Sequence, residues 1–246
     1  MFRIRYLLFL CFFLPAWSAP EPWRGATVEL SRVLPGSPRY LMTDQGDVFD
    51  LCHRAGLNAL RLIGPSATAD WPLLAERARV TGVALLVVVS LKADPDLLQA
   101  IAAVHPACIE RSGAGGSLPF SPVDLGDVPF SDTRSSHIAA RVAAEIDQSG
   151  QGQPVLVEGW GQPPDPRPEI RREAFWALTR GVSQAHVPVA GLIYPSLLGD
   201  SGLFRLQGIG KRLEVRPDLV TLASALGGNA AGAQSLMSAP PLQLTP

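Results

Sequence analysis

Four short, mostly apolar runs divide the sequence, and turn residues bound each of them. They are Leu57–Ile63, Val83–Val89, Pro154–Val157 and Val187–Ile193. Apolar runs of this length that do not alternate with polar residues are typical of strands buried on both faces, as in a parallel sheet covered by helices. The pattern therefore predicts four parallel strands in one closed sheet.

Helical patterns separate these runs. The helices predicted over 47–55 and 71–80 end at Gly56 and Gly82, because glycine accepts the left-handed conformation that follows many helices. Further helices are predicted over 95–104, 135–148, 169–184 and 217–226, and further strands over 26–30 and about 107–109, with a hairpin within 202–216. Residues 111–133, rich in glycine and proline, have room for one or two irregular strands.

The alternation of strands and helices predicts an α/β fold. A (β/α)8 TIM-type barrel, either complete or reduced and irregular around strands 4–6, is favoured over an open doubly wound sheet. No glycine-rich phosphate loop opens any of the helices, which counts against nucleotide binding.

The first 19 residues have the three regions of a cleavable secretory signal. Two arginines precede an apolar run over 6–14, and small residues follow, so we expect cleavage after Ser18 or Ala19. The run is shorter than the ~20 apolar residues that span a bilayer, so we expect no membrane span in the mature chain. We therefore expect a periplasmic or extracellular protein with one domain over 20–228 and a disordered tail over 229–246.

The net charge and the cysteine content argue against several classes of partner and cofactor. Removal of two arginines leaves 19 Lys and Arg against 22 Asp and Glu, a balance of −3, which argues against nucleic acid and anionic membranes as partners. Cys52, Cys108 and four scattered histidines form no short metal-binding spacing, so we expect no metal and no other cofactor. The two cysteines are expected to be buried free thiols rather than a disulfide. The oligomeric state stays open.

One carboxylate follows directly from a buried strand, at Glu158 in Pro154–Gly161. Active groups of a parallel barrel lie at the carboxyl ends of its strands. An acidic residue there is costly unless it is hydrogen-bonded or faces a solvated pocket. Glu158 is therefore either a structural residue paired with an arginine or a functional carboxylate.

The segment Pro154–Gly161 resembles the seventh strand of retaining glycoside hydrolases built on (β/α)8 barrels, the broad clan that includes the family 5 cellulases. In that clan this strand delivers the nucleophile, so the resemblance implies this role for Glu158. Arg61, in Gly56–Leu62, is similar to the arginine that lies beneath the nucleophile on the clan's second strand and helps to keep it ionised.

The end of the barrel also resembles this clan. The segment Val187–Leu197 is similar to the eighth strand, where an aromatic residue floors a sugar subsite, so the resemblance implies a substrate-binding role for Tyr194. Trp160, near another strand exit, is a second implied sugar platform. We expect Glu158, Arg61 and Tyr194 to converge at one end of the sheet.

The fourth strand departs from the clan's pattern. The clan places an Asn-Glu pair there, whose glutamate is the general acid/base, and no Asn-Glu occurs in this chain. Segment His105–Glu110 resembles the approach to that strand, and Glu110 is the nearest carboxylate; Asp124 and Asp127 are alternatives. The resemblance implies an exported glycosidase that hydrolyses β-linked polysaccharide or oligosaccharide by a retaining mechanism. The alternative is a catalytically degenerate protein for carbohydrate binding or exopolysaccharide assembly.

Overall fold

The computed structural model describes residues 21–90, 94–103, 108–112, 120–125, 135–150, 153–159, 168–200, 202–207 and 212–245. The strands are β1 (Trp23–Glu29), β2 (Met42–Thr43), β3 (Gly46–Asp47), β4 (Ala59–Ile63), β5 (Ala84–Ser90), β6 (Cys108–Ser112), β7 (Ser121–Asp124), β8 (Val155–Gly159), β9 (Val189–Tyr194), β10 (Phe204–Gln207), β11 (Arg212–Val215) and β12 (Leu242–Gln243). The helices are α1 (Leu30–Val33), α2 (Val48–Ala55), α3 (Trp71–Thr81), α4 (Pro95–Ala103), α5 (Ser135–Ser149), α6 (Pro168–Gln184), α7 (Pro217–Ser224) and α8 (Ala231–Ser238).

Seven strands form the main sheet, in the order β6-β5-β4-β1-β9-β8-β7. Every neighbouring pair in it is parallel, which confirms the predicted direction of the four apolar runs. Helices follow strands along the chain, as in βα units, because parallel neighbours need a crossover connection. The chain therefore has an α/β fold of the (β/α)8-barrel type.

The barrel is reduced between β6 and β7. These two strands are the outer strands of the sheet, and no pairing joins them within the described residues, so the predicted closure is not observed there. Only eight residues separate Ser112 from Ser121. A complete barrel would need a further strand and two helices in this interval, whereas one crossover alone takes at least about ten residues.

The sheet has two faces with different partners. The large core lies between the sheet and the helices, and includes Val28, Leu60 and Leu192. A second, smaller cluster lies on the opposite face, which we call the inner face. This inner cluster consists of Ala59, Leu86, Phe120, Leu156 and Ile193, with Trp23, Ala84 and Ala190 packed against it.

Local signals place the helices where the sequence predicts them. Helix α2 ends at Gly56, whose φ of 77° is left-handed, and α3 ends in the same way at Gly82 with a φ of 67°. The side chain of Asp70 accepts a hydrogen bond from the backbone N–H of Leu73 and so caps the start of α3. Each cap satisfies backbone groups that the helix itself leaves unpaired.

A charged cluster joins α2 to α3. Arg77 donates from Nε to Oδ2 of Asp47 at 3.0 Å and from Nη2 to Oδ1 at 2.9 Å. Burial alone raises the pKa of Asp47, but the hydrogen bonds from Arg77 and from the backbone N–H of Asp50 outweigh burial and hold that pKa below its ordinary value. The cluster fixes the start of α2 and, with it, the strand β4 that follows.

The last residues of the chain are structured, so the expected disorder of residues 229–246 is wrong for residues 229–245. Helix α8 packs on α2, and β12 completes an antiparallel sheet in the order β10-β11-β12. The side chain of Leu242 is 1% exposed. The composition of the tail did not predict this structure, because strand β12 is stabilised by pairing with β11, which is distant in the chain.

No helix among the described residues is long and apolar enough to cross a membrane. The predicted signal segment lies outside the described residues, so its cleavage stays a prediction.

Candidate functional site

An ion pair between Arg61 and Glu158 lies on the inner face. Nη2 of Arg61 stands 3.3 Å from Oε2 of Glu158, and each side chain is 16% exposed. Arg61 follows Ala59 by two residues on β4, and Glu158 follows Leu156 by two on β8. Because side chains alternate along a strand, both lie on the face of the inner cluster, nearer the carboxyl ends of the strands.

The curvature of the sheet makes this contact possible. Strands β1 and β9 stand between β4 and β8. In a flat sheet, three strand spacings would separate the two backbones by about 14 Å. Two long side chains on a concave face can meet across that interval, so the ion pair is itself a consequence of the barrel curvature.

A register shift positions Glu158. On the neighbouring strand, Val123 pairs with Val157 and Asp124 pairs with Gly159, so Glu158 is an extra residue in β8. Bulges of this kind bend a strand and redirect side chains, and they are common beside active sites. The carboxylate is therefore set by a specific backbone irregularity at the strand exit.

Thr27 lies beside the ion pair, and the sequence analysis did not single it out. It pairs in register with Arg61 on the adjacent strand, and so shares the inner face. Its Oγ1 is buried and makes no hydrogen bond with any residue that the structure describes. Buried hydroxyls are normally hydrogen-bonded, so this atom departs from the usual pairing of buried polar groups. Strand β1 also contains Arg24 and Glu29, so one further polar residue gave no distinct signal in the sequence.

A cavity of about 190 Å³ opens where β1, β4 and β9 end. Thr27 is one of its lining residues. The cavity and the ion pair both lie towards the carboxyl ends of these strands. The lining residues are Thr27, Val28, Glu29, Arg32, Ile63, Pro195, Ser196, Leu198, Gly199 and Leu206. The site thus combines a carboxylate and a guanidinium, and a cavity with a mostly apolar lining opens at the same end of the sheet.

The acid/base candidates lie on the two outer strands. Glu110 is the third of the five residues of β6, and its backbone pairs in register with Val88 of β5. Asp124 ends β7, is exposed, and stands opposite Gly159. Asp127 lies outside the described residues. Asp124 is therefore at the same end of the sheet as Glu158.

Tyr194 does not join the site, contrary to the expectation. It follows the inner-cluster residue Ile193 by one position, so it points to the helix side, where it is 2% exposed. Its hydroxyl donates to Oδ2 of Asp218 at 2.8 Å, and its ring meets Phe175 edge to face at 5.3 Å. Tyr194 is a core residue in this fold. Trp160, the other predicted sugar platform, lies outside the described residues.

The structure describes one of the two cysteines expected to be buried free thiols. Cys52 is a buried free thiol, and burial raises its pKa. The side chain of Cys108 lies outside the described part. Among the residues that the structure describes, no group of three or more His, Cys, Asp or Glu could hold a metal ion.

No protein-family model matches the sequence, and no curated protein matches it. Among solved structures, the chain is similar to Gas2 of Saccharomyces cerevisiae in complex with a compound numbered 11, at 12% identity and a TM-score of 0.48, over 89% of this chain and 68% of the yeast chain.

Two further structures of the yeast protein give similar values. The complex of Gas2p with laminaritriose and laminaritetraose matches at 12% identity and a TM-score of 0.47, over 89% of this chain and 68% of the other. A mutant with laminaritetraose and laminaripentaose matches at 12% and 0.46, over 93% and 66%. Since these TM-scores are below 0.5, the assignment of the fold rests on the strand order of this chain.

Proposed function

We propose that this protein is an exported glycosidase that hydrolyses a β-linked polysaccharide or oligosaccharide by a retaining mechanism. The observation that carries the proposal is the Arg61–Glu158 pair, at 3.3 Å on the inner face near the carboxyl ends of the strands. That is the end at which barrel enzymes hold their active groups. The resemblance to the barrel glycosidases also supports the proposal, because it implies a nucleophile at Glu158 and an arginine beneath it at Arg61.

The proposed chemistry is a double displacement. Glu158 attacks the anomeric carbon and forms a glycosyl–enzyme bond, while the bond to the leaving oxygen breaks and a second carboxylic acid protonates that oxygen. The second residue, now a carboxylate, takes a proton from water, which attacks the same carbon and releases Glu158. Arg61 favours the ionised form of Glu158 by charge proximity before each cycle.

The acid/base is proposed to be Glu110, with Asp124 as the alternative. Retaining enzymes hold the two carboxyl groups about 5–5.5 Å apart, so the partner must reach inward from an outer strand. Asp124 is the last residue of β7, and Glu110 is the third of the five residues of β6. Measured rates of the two variants distinguish Glu110 from Asp124, because loss of the acid/base removes a proton transfer that accelerates the reaction about 10²–10⁴-fold.

The test compares leaving groups. We expect Glu110→Gln to slow cleavage of a natural glycoside strongly and to spare the first step on an aryl glycoside, whose leaving group needs no proton. Asp124→Asn should then behave like the wild type, and the reverse result would assign the role to Asp124. Glu158→Gln should abolish cleavage of both substrates, whereas Glu145→Gln, on the exposed face of α5, serves as the matched control.

The substrate panel consists of β-glucans, mannans, xylans and exopolysaccharides, and NMR of the first product reports its anomeric configuration. Retained configuration supports the mechanism, and inversion contradicts it. Sugar binding without turnover by the wild type would support the alternative, a catalytically degenerate carbohydrate-binding or assembly protein. Full turnover by Glu158→Gln would overturn the proposal.

A further inference from the structure

The curvature that closes the ion pair arises at the strand junctions between β4 and β8. These junctions are β4-β1, β1-β9 and β9-β8. Gly25, on β1, pairs in register with the inner-cluster residue Ala59 of β4. Gly191, on β9, pairs in register with Trp23 of β1, which packs against the inner cluster. Two of the three junctions therefore have a glycine on the inner face.

At the β4-β1 junction, the strands approach too closely for a side chain at Gly25. A Cβ added there would lie 2.9 Å from the Cβ of Ala59 and 2.8 Å from its carbonyl carbon, and nearer still to the carbonyl oxygen. Neighbouring strands lie about 4.7–4.9 Å apart, and carbon atoms in ordinary contact are about 3.5–4.0 Å apart. Since the two Cβ positions converge on the inner face, the sheet is sharply concave at this junction.

The β1-β9 junction has the same form. A Cβ added to Gly191 would lie 2.7 Å from the Cβ of Trp23, 2.8 Å from its carbonyl oxygen and 3.1 Å from Cδ1 of Leu156. Neither Gly25 nor Gly191 has a left-handed φ, so their backbone conformation is open to other residues. Glycine is needed at both positions because the strands approach each other closely.

We propose that Gly25 and Gly191 are positioning residues for the reaction, because the absence of their side chains sets the curvature that brings Arg61 to Glu158. The inference rests on the proposed function, since it explains how the nucleophile and its arginine come together. A methyl group at either glycine forces the strands apart by about 1 Å, the difference between the distances above and an ordinary contact. Arg61 then lies farther from Glu158 than the observed 3.3 Å.

The first test measures the contact between Arg61 and Glu158 and needs no substrate. Urea unfolding gives the coupling energy from a cycle of Arg61→Met, Glu158→Gln and the double variant. The cycle is measured with the natural glycines and again with Gly25→Ala or Gly191→Ala in every protein. An increase of the 3.3 Å separation by about 1 Å should lower the coupling energy by at least about a quarter, since the Coulomb energy varies inversely with distance.

Gly181→Ala is the matched control. Gly181 lies on α6, and a Cβ there would lie 2.6 Å from the carbonyl oxygen of Ala139 and 2.7 Å from the Cβ of Val142, both on α5. This variant introduces a comparable clash between two helices outside the sheet, so it should destabilise the fold and leave the coupling energy unchanged. Equal coupling energies in the wild type, Gly25→Ala and Gly191→Ala would overturn the proposal and leave the two glycines a packing role alone.

The second test follows catalysis on an aryl glycoside that the wild type cleaves. Gly25→Ala should lower kcat about 10²-fold, the cost of a misplacement of about 1 Å. KM should change little, because the variant removes no group that contacts the sugar. Gly181→Ala should keep the kcat of the wild type. A fall in kcat that Gly181→Ala shares would assign the effect to general destabilisation and contradict a positioning role.

The outcomes separate this inference from the proposed function. If the wild type cleaves neither the aryl glycosides nor any member of the polysaccharide panel, the proposed function fails, whereas the coupling energies still decide whether the glycines set the ion pair. If the wild type is active and both glycine variants keep its kcat and its coupling energy, the positioning role alone fails. If neither variant folds while Gly181→Ala does, the glycines are requirements of the fold itself, and the positioning role is rejected.

Discussion

Substitution of Arg61 by methionine tests the central contact of the site without any knowledge of the substrate. Methionine keeps most of the length of the apolar stem and removes the guanidinium. Glu158 then keeps its place on the inner face, where 16% of its side chain is exposed. Water reaches it only in part, so the loss of the guanidinium removes a compensating charge that solvent does not fully replace.

The expected magnitude follows from the separation and the burial. Two unit charges at the observed 3.3 Å attract each other by about 5 kcal/mol at an effective dielectric constant of about 20. Removal of one partner from a buried pair costs about 3–5 kcal/mol. Because both side chains keep some access to water, we expect the free energy of unfolding to fall by about 2–4 kcal/mol for Arg61→Met.

Urea unfolding of the wild type, Arg61→Met, Glu158→Gln and the double variant measures this change in the free energy of unfolding. The double variant Arg61→Met with Glu158→Gln should recover most of the loss, because it leaves no uncompensated charge, and the cycle gives the coupling energy. The control is Arg79→Met, which removes an exposed ion pair with Glu76 and should lower the stability far less, because solvent screens that pair. A loss for Arg61→Met no larger than that of the control, with no coupling in the cycle, would refute the ion pair and the site built on it.

Three further variants or conditions test the surrounding fold. Because the pKa of Asp47 in the folded protein lies below its ordinary value of 3.8, the stabilisation from this carboxylate should be complete above that pH and be lost as the pH falls towards the folded pKa. Thermal unfolding from about pH 5 to 2 should therefore show a smaller fall in Tm for Arg77→Gln than for the wild type. Tyr194→Phe should cost about 1–3 kcal/mol by removing a donor to buried Asp218, yet leave sugar binding unchanged; a selective loss of binding would return Tyr194 to the site. Leu242→Ala should cost about 2–5 kcal/mol in urea unfolding, whereas a disordered tail would show almost no effect.

Several elements could be predicted because their signals are local. Helices α2 and α3 end at glycines that take up left-handed conformations, and the apolar runs become parallel strands. The pairing of Arg61 with Glu158 was also predicted, since strands of one parallel sheet end at the same edge. The predictions that failed concern structure that depends on contacts between distant parts of the chain. The tail was missed because β12 depends on a partner strand far away in the chain.

The error at Tyr194 has a different cause. A shift of one residue along a strand moves a side chain to the other face of the sheet. Ile193 occupies the inner position of β9, so the aromatic ring that follows it enters the helix-side core. An aromatic residue at a strand end was visible in the sequence, but its face depends on the register with the neighbouring strands.

The sequence by itself determined which segments are strands and helices, their parallel arrangement, and the strand exit that carries Glu158, since hydrophobic period and turn residues act over a few positions. The tertiary structure alone decided the distances between the side chains and the face of the sheet on which each one lies. Curvature joins Arg61 to Glu158, a register shift redirects that glutamate, and the ends of three strands enclose the cavity at Thr27. These features depend on contacts between residues far apart in the chain, and no local pattern encodes them.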